Sequence, residues 1–214
     1  MFDDRTQAGS MLAQKLEKYK ELPNTLILAL PRGGLPVANI IAQHLHLPLD
    51  VIITRKIGHP YSEEFALGAI SEYGSSVWGK DIEDVDPEWI DFEVKKENEE
   101  IKRRKKMYLG SRKRLGLEGK IVILVDDGAA TGMTIIAALK DIKKMGANEI
   151  ITVLPVLPKN TSEERNKSSA KLTSLQMPRD ENFCGSVGAY YNDFSQVEDR
   201  EVKTILRMNE CKPK

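Results

Sequence analysis

The stretch with the most chemistry in it is Val125-Asp126-Asp127-Gly128-Ala129-Ala130-Thr131-Gly132-Met133-Thr134. Gly128 and Gly132 let backbone N–H groups turn inward, and Thr131 and Thr134 add hydroxyl donors. A helix starting here adds the partial positive charge of its N-terminus. With Ala129, Ala130 and Met133 completing the loop, these residues form a phosphate cradle. It is not a Walker A loop, because no Lys follows, and it is not a GxGxxG turn. The two acids in front of it would repel a phosphate unless something intervenes. The vicinal hydroxyls of a ribose, or a Mg²⁺ ion, would satisfy Asp126 and Asp127. Acids and cradle together point to a ribose 5-phosphate.

Two other short stretches carry charge suited to the same ligand. In Arg32-Gly33-Gly34 the glycines permit close backbone approach, and the arginine offers a fork for phosphate oxygens. Arg55-Lys56 places two adjacent cations just after a second apolar run. His59 follows in a segment, 57–64, that reads as a lid excluding water from a reaction. It is a candidate general base by position alone. His44 and His46 have no acidic or cysteine partners at ligand spacing, so they predict no metal site. Cys184 and Cys211 build neither a disulfide framework nor a CxxC site, and a reducing compartment is expected.

The elements that must position these residues follow from apolar spacing. Apolar residues three and four apart predict a helix over 6–22, and short buried runs predict strands over 25–30 and 49–54. A helix is expected over 37–45, with Pro36 suited to its first turn. Residues 68–71 and 76–78 flank a turn and predict a small hairpin. Asp86 and Pro87 start a long helix that runs to Leu109. Ile121–Val125 reads as a strand buried on both faces. A helix over 131–145 stopped by Gly146, strands over 149–155 and 186–190, and a last helix over 198–208 complete the pattern. Strand–helix alternation with buried strands predicts an α/β fold, a parallel twisted sheet flanked by helices. Ligands of such sheets bind at the carboxyl ends of the strands, where the acid pair and both cationic stretches fall.

Composition sets the bounds. The chain has 214 residues, 32 Lys+Arg and 32 Asp+Glu, so no strongly basic nucleic-acid binder is expected. The charge is segregated, however. Residues 62–92 carry nine acids and one base, while 101–114 carry eight bases and no acid. These segments pair within one chain or across a dimer. Met1-Phe2-Asp3-Asp4 puts acids where a signal peptide has bases, and the apolar runs are too short to span a bilayer. A cytoplasmic protein without membrane contact is expected. Phe183, Tyr190, Tyr191 and Phe194 form an aromatic cluster read as core packing of a terminal strand, with stacking on a flat base as the alternative.

On these residues the sequence resembles the type I phosphoribosyltransferases. Their signature is a run of hydrophobic residues, two acids and a Gly/Thr-rich loop ending in Thr-Gly-x-Thr. More narrowly, it is similar to a bacterial family of predicted phosphoribosyltransferases with an undefined acceptor. That closer match is carried by Leu30-Pro31-Arg32-Gly33-Gly34, Arg55-Lys56-Ile57-Gly58, Glu64 with Gly68-Ala69-Ile70, and Tyr191-Asn192-Asp193-Phe194. The resemblance implies a Rossmann-like core with a small hood and a flexible loop. It implies one domain over 1–214, with an insert of lid and long helix at about 57–114 and a hood at about 172–214. It implies phosphoribosyl diphosphate (PRPP) and Mg²⁺, release of diphosphate, a nitrogen acceptor such as a nucleobase, and a homodimer. Gly128 to Thr134 would hold the 5-phosphate, and Asp126 and Asp127 the ribose hydroxyls or the metal. Arg32, Gly33, Gly34, Arg55 and Lys56 would hold diphosphate, with Asp127, Lys56 and Arg32 as the catalytic set. Alternative readings are a non-catalytic PRPP- or nucleotide-binding regulator and a phosphohydrolase of phosphoribosyl compounds.

Overall fold

The computed structural model describes residues 1–110, 112–161 and 170–210, with backbone alone at 63 and 64. Five strands form a parallel sheet: β1 (Thr25–Ala29), β2 (Leu49–Val51), β6 (Ile121–Val125), β7 (Glu149–Val156) and β8 (Lys171–Gln176), in the order β2-β1-β6-β7-β8. Three more, β3 (Thr54–His59), β4 (Ser62–Ser71) and β5 (Ser76–Trp78), form a separate antiparallel sheet. The α-helices that lie wholly within the described residues are α1 (Arg5–Lys15), α2 (Gly34–Leu45), α3 (Pro87–Leu109), α4 (Met133–Lys144) and α5 (Asp199–Met208).

The parallel strands β1, β2, β6 and β7 are largely buried because they are covered on both faces, while the edge strand β8 is partly exposed. In β1, Ile27 and Ala29 join the apolar cluster formed with α1, α2, α3 and α5. Leu26 and Leu28 join the opposite cluster, with Ile135, Ala138, Leu139 and Ile142 of α4. This alternation is the two-residue period of a strand, and the central strand β6 repeats it, with Ile123 and Val125 in the first cluster and Val122 and Leu124 in the second. The strand order reverses between β1 and β6, so the sheet's switch point lies between those two strands. Among the described residues no helix is long and apolar enough to cross a membrane.

Several boundaries differ from expectation. The strand expected over 49–54 splits: Ile52 still donates to Ala29 O, but Ile53 already bonds to Glu72, so the chain changes sheets within one apolar run. Continuous hydrophobicity cannot show that step. Arg55 and Lys56 therefore lie on β3, and residues 57–64 form the irregular tip of the β3–β4 hairpin. The helix expected over 6–22 ends at Lys15, and a single 3₁₀ turn follows at Glu17–Tyr19. The strand expected over 186–190 is a 3₁₀ turn at Val187–Tyr190. Gly188 sits within it against Phe194, and only Tyr191 makes a bridge, to Phe2.

One acid of the 62–92 segment, Glu72, meets the basic segment within the chain. Arg114 reaches Glu72 at 2.9 Å and Asp50 at 3.5 Å, and Lys105 lies 3.5 Å from Glu72. The Glu72 side chain is 0% exposed, so these pairs are structural. Arg112 and Arg114 also donate to the Leu49 and Val51 carbonyls along the edge of β2.

Candidate functional site

The register of β1 on β6 aligns Ala29 with Val125, so the chain leaves both strands at the same level. The two following loops meet there. A Cβ on Gly33 would lie 2.0 Å from Asp127 Oδ2, and one on Gly34 would lie 2.8 Å from Asp126 Cα and from the Val125 carbonyl oxygen. Gly33 has ordinary helical backbone angles, so space rather than conformation requires glycine there. The Pro31–Arg32 peptide bond is cis.

The loop after β6 is fixed from several sides. Asp127 N–H donates to Asp126 Oδ1 at 2.9 Å, and Ala129 N–H donates to the Val156 carbonyl at 3.0 Å. Gly128 and Gly132 have φ of +144° and +70°, the left-handed region open to glycine. Val187 Cγ1 occupies the place of a Gly128 Cβ, at 2.4 Å. Thr161 Oγ1 donates to the Ala130 carbonyl at 2.8 Å. Met133 then begins α4, so Gly128 to Thr134 surround a helix N-terminus as the sequence predicts.

The acid pair is electrostatically loaded. Burial pushes the Asp126 carboxyl well above the usual carboxylate range, and the neighbouring Asp127 charge adds to it. Burial raises Asp127 too, against the Arg5 guanidinium that lowers it. Arg5 Nε donates to Asp127 Oδ2 at 2.8 Å. Tyr191 Oη donates to the Asp127 carbonyl at 2.7 Å, and burial drives that phenol upward. Tyr190 and Tyr191 are buried, as the core-packing reading of the aromatic cluster expects.

The proposed diphosphate cations also have partners. Arg32 Nη1 lies 3.7 Å from Asp199 Oδ1, and that oxygen accepts from Tyr108 Oη at 2.5 Å. Arg103 of α3 reaches Asp199 Oδ2 at 3.3 Å. Arg55 pairs with Glu97 of α3, its Nη2 donating to Oε1 at 3.3 Å. Beside it an open groove of about 510 Å³ is lined by Arg55, Lys56, His59, Trp89, Glu93 and Glu97. The His59 ring is tilted against Tyr61 and edge-on to Phe65 at the hairpin tip, and His44 pairs with Glu17. A groove of about 610 Å³ near Leu49, Tyr108, Arg112 and Arg207 contains none of the loop residues.

Sequence reasoning missed Arg5, Glu97 and Asp199. Each lies far along the chain from its partner, and no local pattern marks it. The Tyr191-Asn192-Asp193-Phe194 motif was a signal: Tyr191 bonds to the Asp127 carbonyl, and Phe194 packs on the Arg5 that pairs with Asp127.

A parallel α/β sheet with a glycine-lined loop at a helix N-terminus and two acids at its switch point has the chemistry that a sugar phosphate would need. The comparisons narrow that class. The family model described as Phosphoribosyl transferase domain matches residues 5–192, and the chain belongs to that family. It is 35% identical over 209 residues to the Mycobacterium tuberculosis H37Rv protein named "Putative phosphoribosyl transferase Rv0571c", covering 96% of this chain and 46% of that protein. The chain thus spans about half the length of the curated relatives it matches. The crystal structure of TT1426 from Thermus thermophilus is similar, with 37% identity, a TM-score of 0.76, and coverage of 96% of this chain and 97% of that one. The AQ2163 protein from Aquifex aeolicus shares the fold, with 14% identity, a TM-score of 0.52, and coverage of 82% and 76%. The fold is that of the type I phosphoribosyltransferases, as the sequence predicts.

Proposed function

We propose that this chain is a Mg²⁺-dependent phosphoribosyltransferase. It takes PRPP, releases diphosphate and joins ribose 5-phosphate to a nitrogen acceptor, a nucleobase in this reading. The observation that carries the reading is the meeting of two glycine loops around the acid pair, with Gly33 pressed on Asp127. Family membership supports it.

In this reading Gly128 to Thr134 hold the 5-phosphate. Asp126 and Asp127 meet the ribose hydroxyls or the metal. Arg32, Gly33, Gly34, Arg55 and Lys56 receive diphosphate. The acids fit Mg²⁺: a buried carboxyl pushed far up is a hard oxygen ligand in want of a positive partner. Among the described residues no cluster of three or more His, Cys, Asp or Glu could hold a metal alone. That suits an ion shared between one or two carboxylates and substrate phosphates. When bound, Mg²⁺ neutralises phosphate oxygens. The bond from the anomeric carbon to the diphosphate oxygen breaks, and the oxygen keeps the electron pair. Arg32, Arg55 and Lys56 supply charge where the negative charge grows. Asp127 orients the sugar while its anomeric carbon becomes electron-poor, and the acceptor nitrogen forms the new bond and loses its proton.

The same reading makes 1–214 one domain acting as a cytoplasmic homodimer. Residues 57–64 serve as a lid that keeps water from competing, and 172–214 as a hood over the acceptor.

Diphosphate release from PRPP and Mg²⁺, with and without a panel of nucleobases, tests the function. Base-dependent release is the expected result. Base-independent release makes the protein a phosphohydrolase, and tight binding without release makes it a non-catalytic binder. Failure to bind PRPP at all removes the reading.

A further inference from the structure

Arg5 stands out because it is held on three sides and holds one thing. Its Nε donates to Asp127 Oδ2 at 2.8 Å. Its Nη1 donates to the Ser195 carbonyl at 2.8 Å. Its guanidinium carbon lies 3.9 Å from the centre of the Phe194 ring, a cation–π distance. The Arg5 and Asp127 side chains are 11% and 13% exposed, so solvent screens the pair little.

The placement of Arg5 is built from both ends of the described chain. It opens α1, whose N-cap Asp4 accepts from Gln7 N–H at 2.7 Å. Just before it, Phe2 N–H donates to the Tyr190 carbonyl at 2.8 Å. Asn192 N–H donates to the Phe2 carbonyl at 2.8 Å, and Asp193 N–H to the Asp3 carbonyl at 2.9 Å. Residues 190–195 thus seat the N-terminal segment, provide the ring and carbonyl that fix Arg5, and hold the Asp127 main chain through Tyr191.

We propose that Arg5 is the positioning residue of Asp127: it engages Oδ2, turns Oδ1 toward the ligand, and makes the sugar site depend on residues 190–195. A carboxylate this buried needs a charged partner to stay in one orientation. Gly33 crowds the same oxygen, since a Cβ there would lie 2.0 Å from it, and Arg5 is the cation that holds it in place. Lysine supplies the charge but lacks the planar fork that serves Asp127 and Ser195 at once. The proposal rests on the sugar-binding reading of Asp127 given above.

The test is calorimetric titration of PRPP with Mg²⁺ into the wild type, Arg5→Ala, Arg5→Lys and Phe194→Leu, with the melting temperature of each. A hydrogen bond to a charged group changes an equilibrium by about tenfold to a hundredfold, so Arg5→Ala is expected to lose up to about that much in PRPP affinity. Arg5→Lys should fall between it and the wild type, and Phe194→Leu should lose less. Millimolar methylguanidinium should restore binding to Arg5→Ala and leave the wild type unchanged, which a merely structural role would not produce. If Arg5→Ala does not fold, Arg5→Lys and Phe194→Leu carry the comparison, and wild-type affinity in both overturns the proposal. A lowered melting temperature with unchanged PRPP affinity in Arg5→Ala also overturns it and leaves the sugar site standing. Failure of the wild type to bind PRPP overturns both.

Discussion

The two sides of the site handle charge in different ways. On the proposed sugar side Asp127 is paired with Arg5, the bond is 2.8 Å long, and both side chains are nearly covered. On the proposed diphosphate side the pairing of Arg32 with Asp199 is 3.7 Å long, and each side chain is 26% exposed. The first contact behaves as fixed architecture. The second behaves as an exchangeable partner, because a long, partly solvated pair is worth little. Under the proposed reading the site is preformed where it orients the sugar and yielding at Arg32, while Arg55 stays tied to the buried Glu97.

The harshest way to break this comparison is Gly33→Ala. The new methyl group would lie 2.0 Å from Asp127 Oδ2, a distance nothing tolerates. Either the diphosphate loop or the acid must move by an ångström or more, and kcat/KM for PRPP should fall by about a hundredfold or more. Steady-state kinetics with a saturating acceptor would show it, and near-wild-type turnover would mean that the two loops do not act together.

A smaller effect is expected at Asp199. If that acid only competes for Arg32, then Asp199→Asn should tighten inorganic diphosphate binding by a few-fold, within the roughly 0.2–1 kcal/mol of an exposed ion pair. Calorimetry with Mg²⁺ and diphosphate measures it directly. Weakened binding would make Asp199 architecture like Arg5, and the contrast would collapse.

The smallest effect concerns the frame behind the cations. The Glu100 carboxylate is lowered from an ordinary 4.5 to about 2, chiefly by its bond to Arg103, with Arg104 adding. A lowered folded-state pKa gives stability that is present above 4.5 and lost as pH falls toward 2. Glu100→Gln should therefore slightly flatten the acid limb of a melting-temperature profile in that window. Identical acid limbs in the two proteins would show that this frame adds nothing.

How much of this was legible in the sequence depends on whether the cause was local. The limits of α3 were, since Asp86 and Pro87 start it and Gly110 ends it. So was β6, an unbroken aliphatic run. β8 was not: Lys171–Gln176 sits at the edge of the sheet, partly exposed, with its two leucines three apart rather than alternating. The strand expected near Tyr190 failed because the aromatic residues there pack on the chain's first residues instead of pairing in a sheet. The acid pair and the glycine loops were visible because their chemistry is contiguous. Arg5 was not visible, since it meets Asp127 across 122 positions of sequence. Nor was Glu97, which meets Arg55 across 42 positions. Such contacts belong to the fold and leave no spacing to read.

The central claim is that the loop after β6 and its two acids form the ribose 5-phosphate site, and a crystal structure with PRPP and Mg²⁺ bound tests it most directly. The account predicts the 5-phosphate among residues 128–134, the ribose hydroxyls at Asp126 and Asp127, and the diphosphate toward Arg32. Ligand density in the groove beside Arg112 and Arg207, with the acid loop empty, would contradict it.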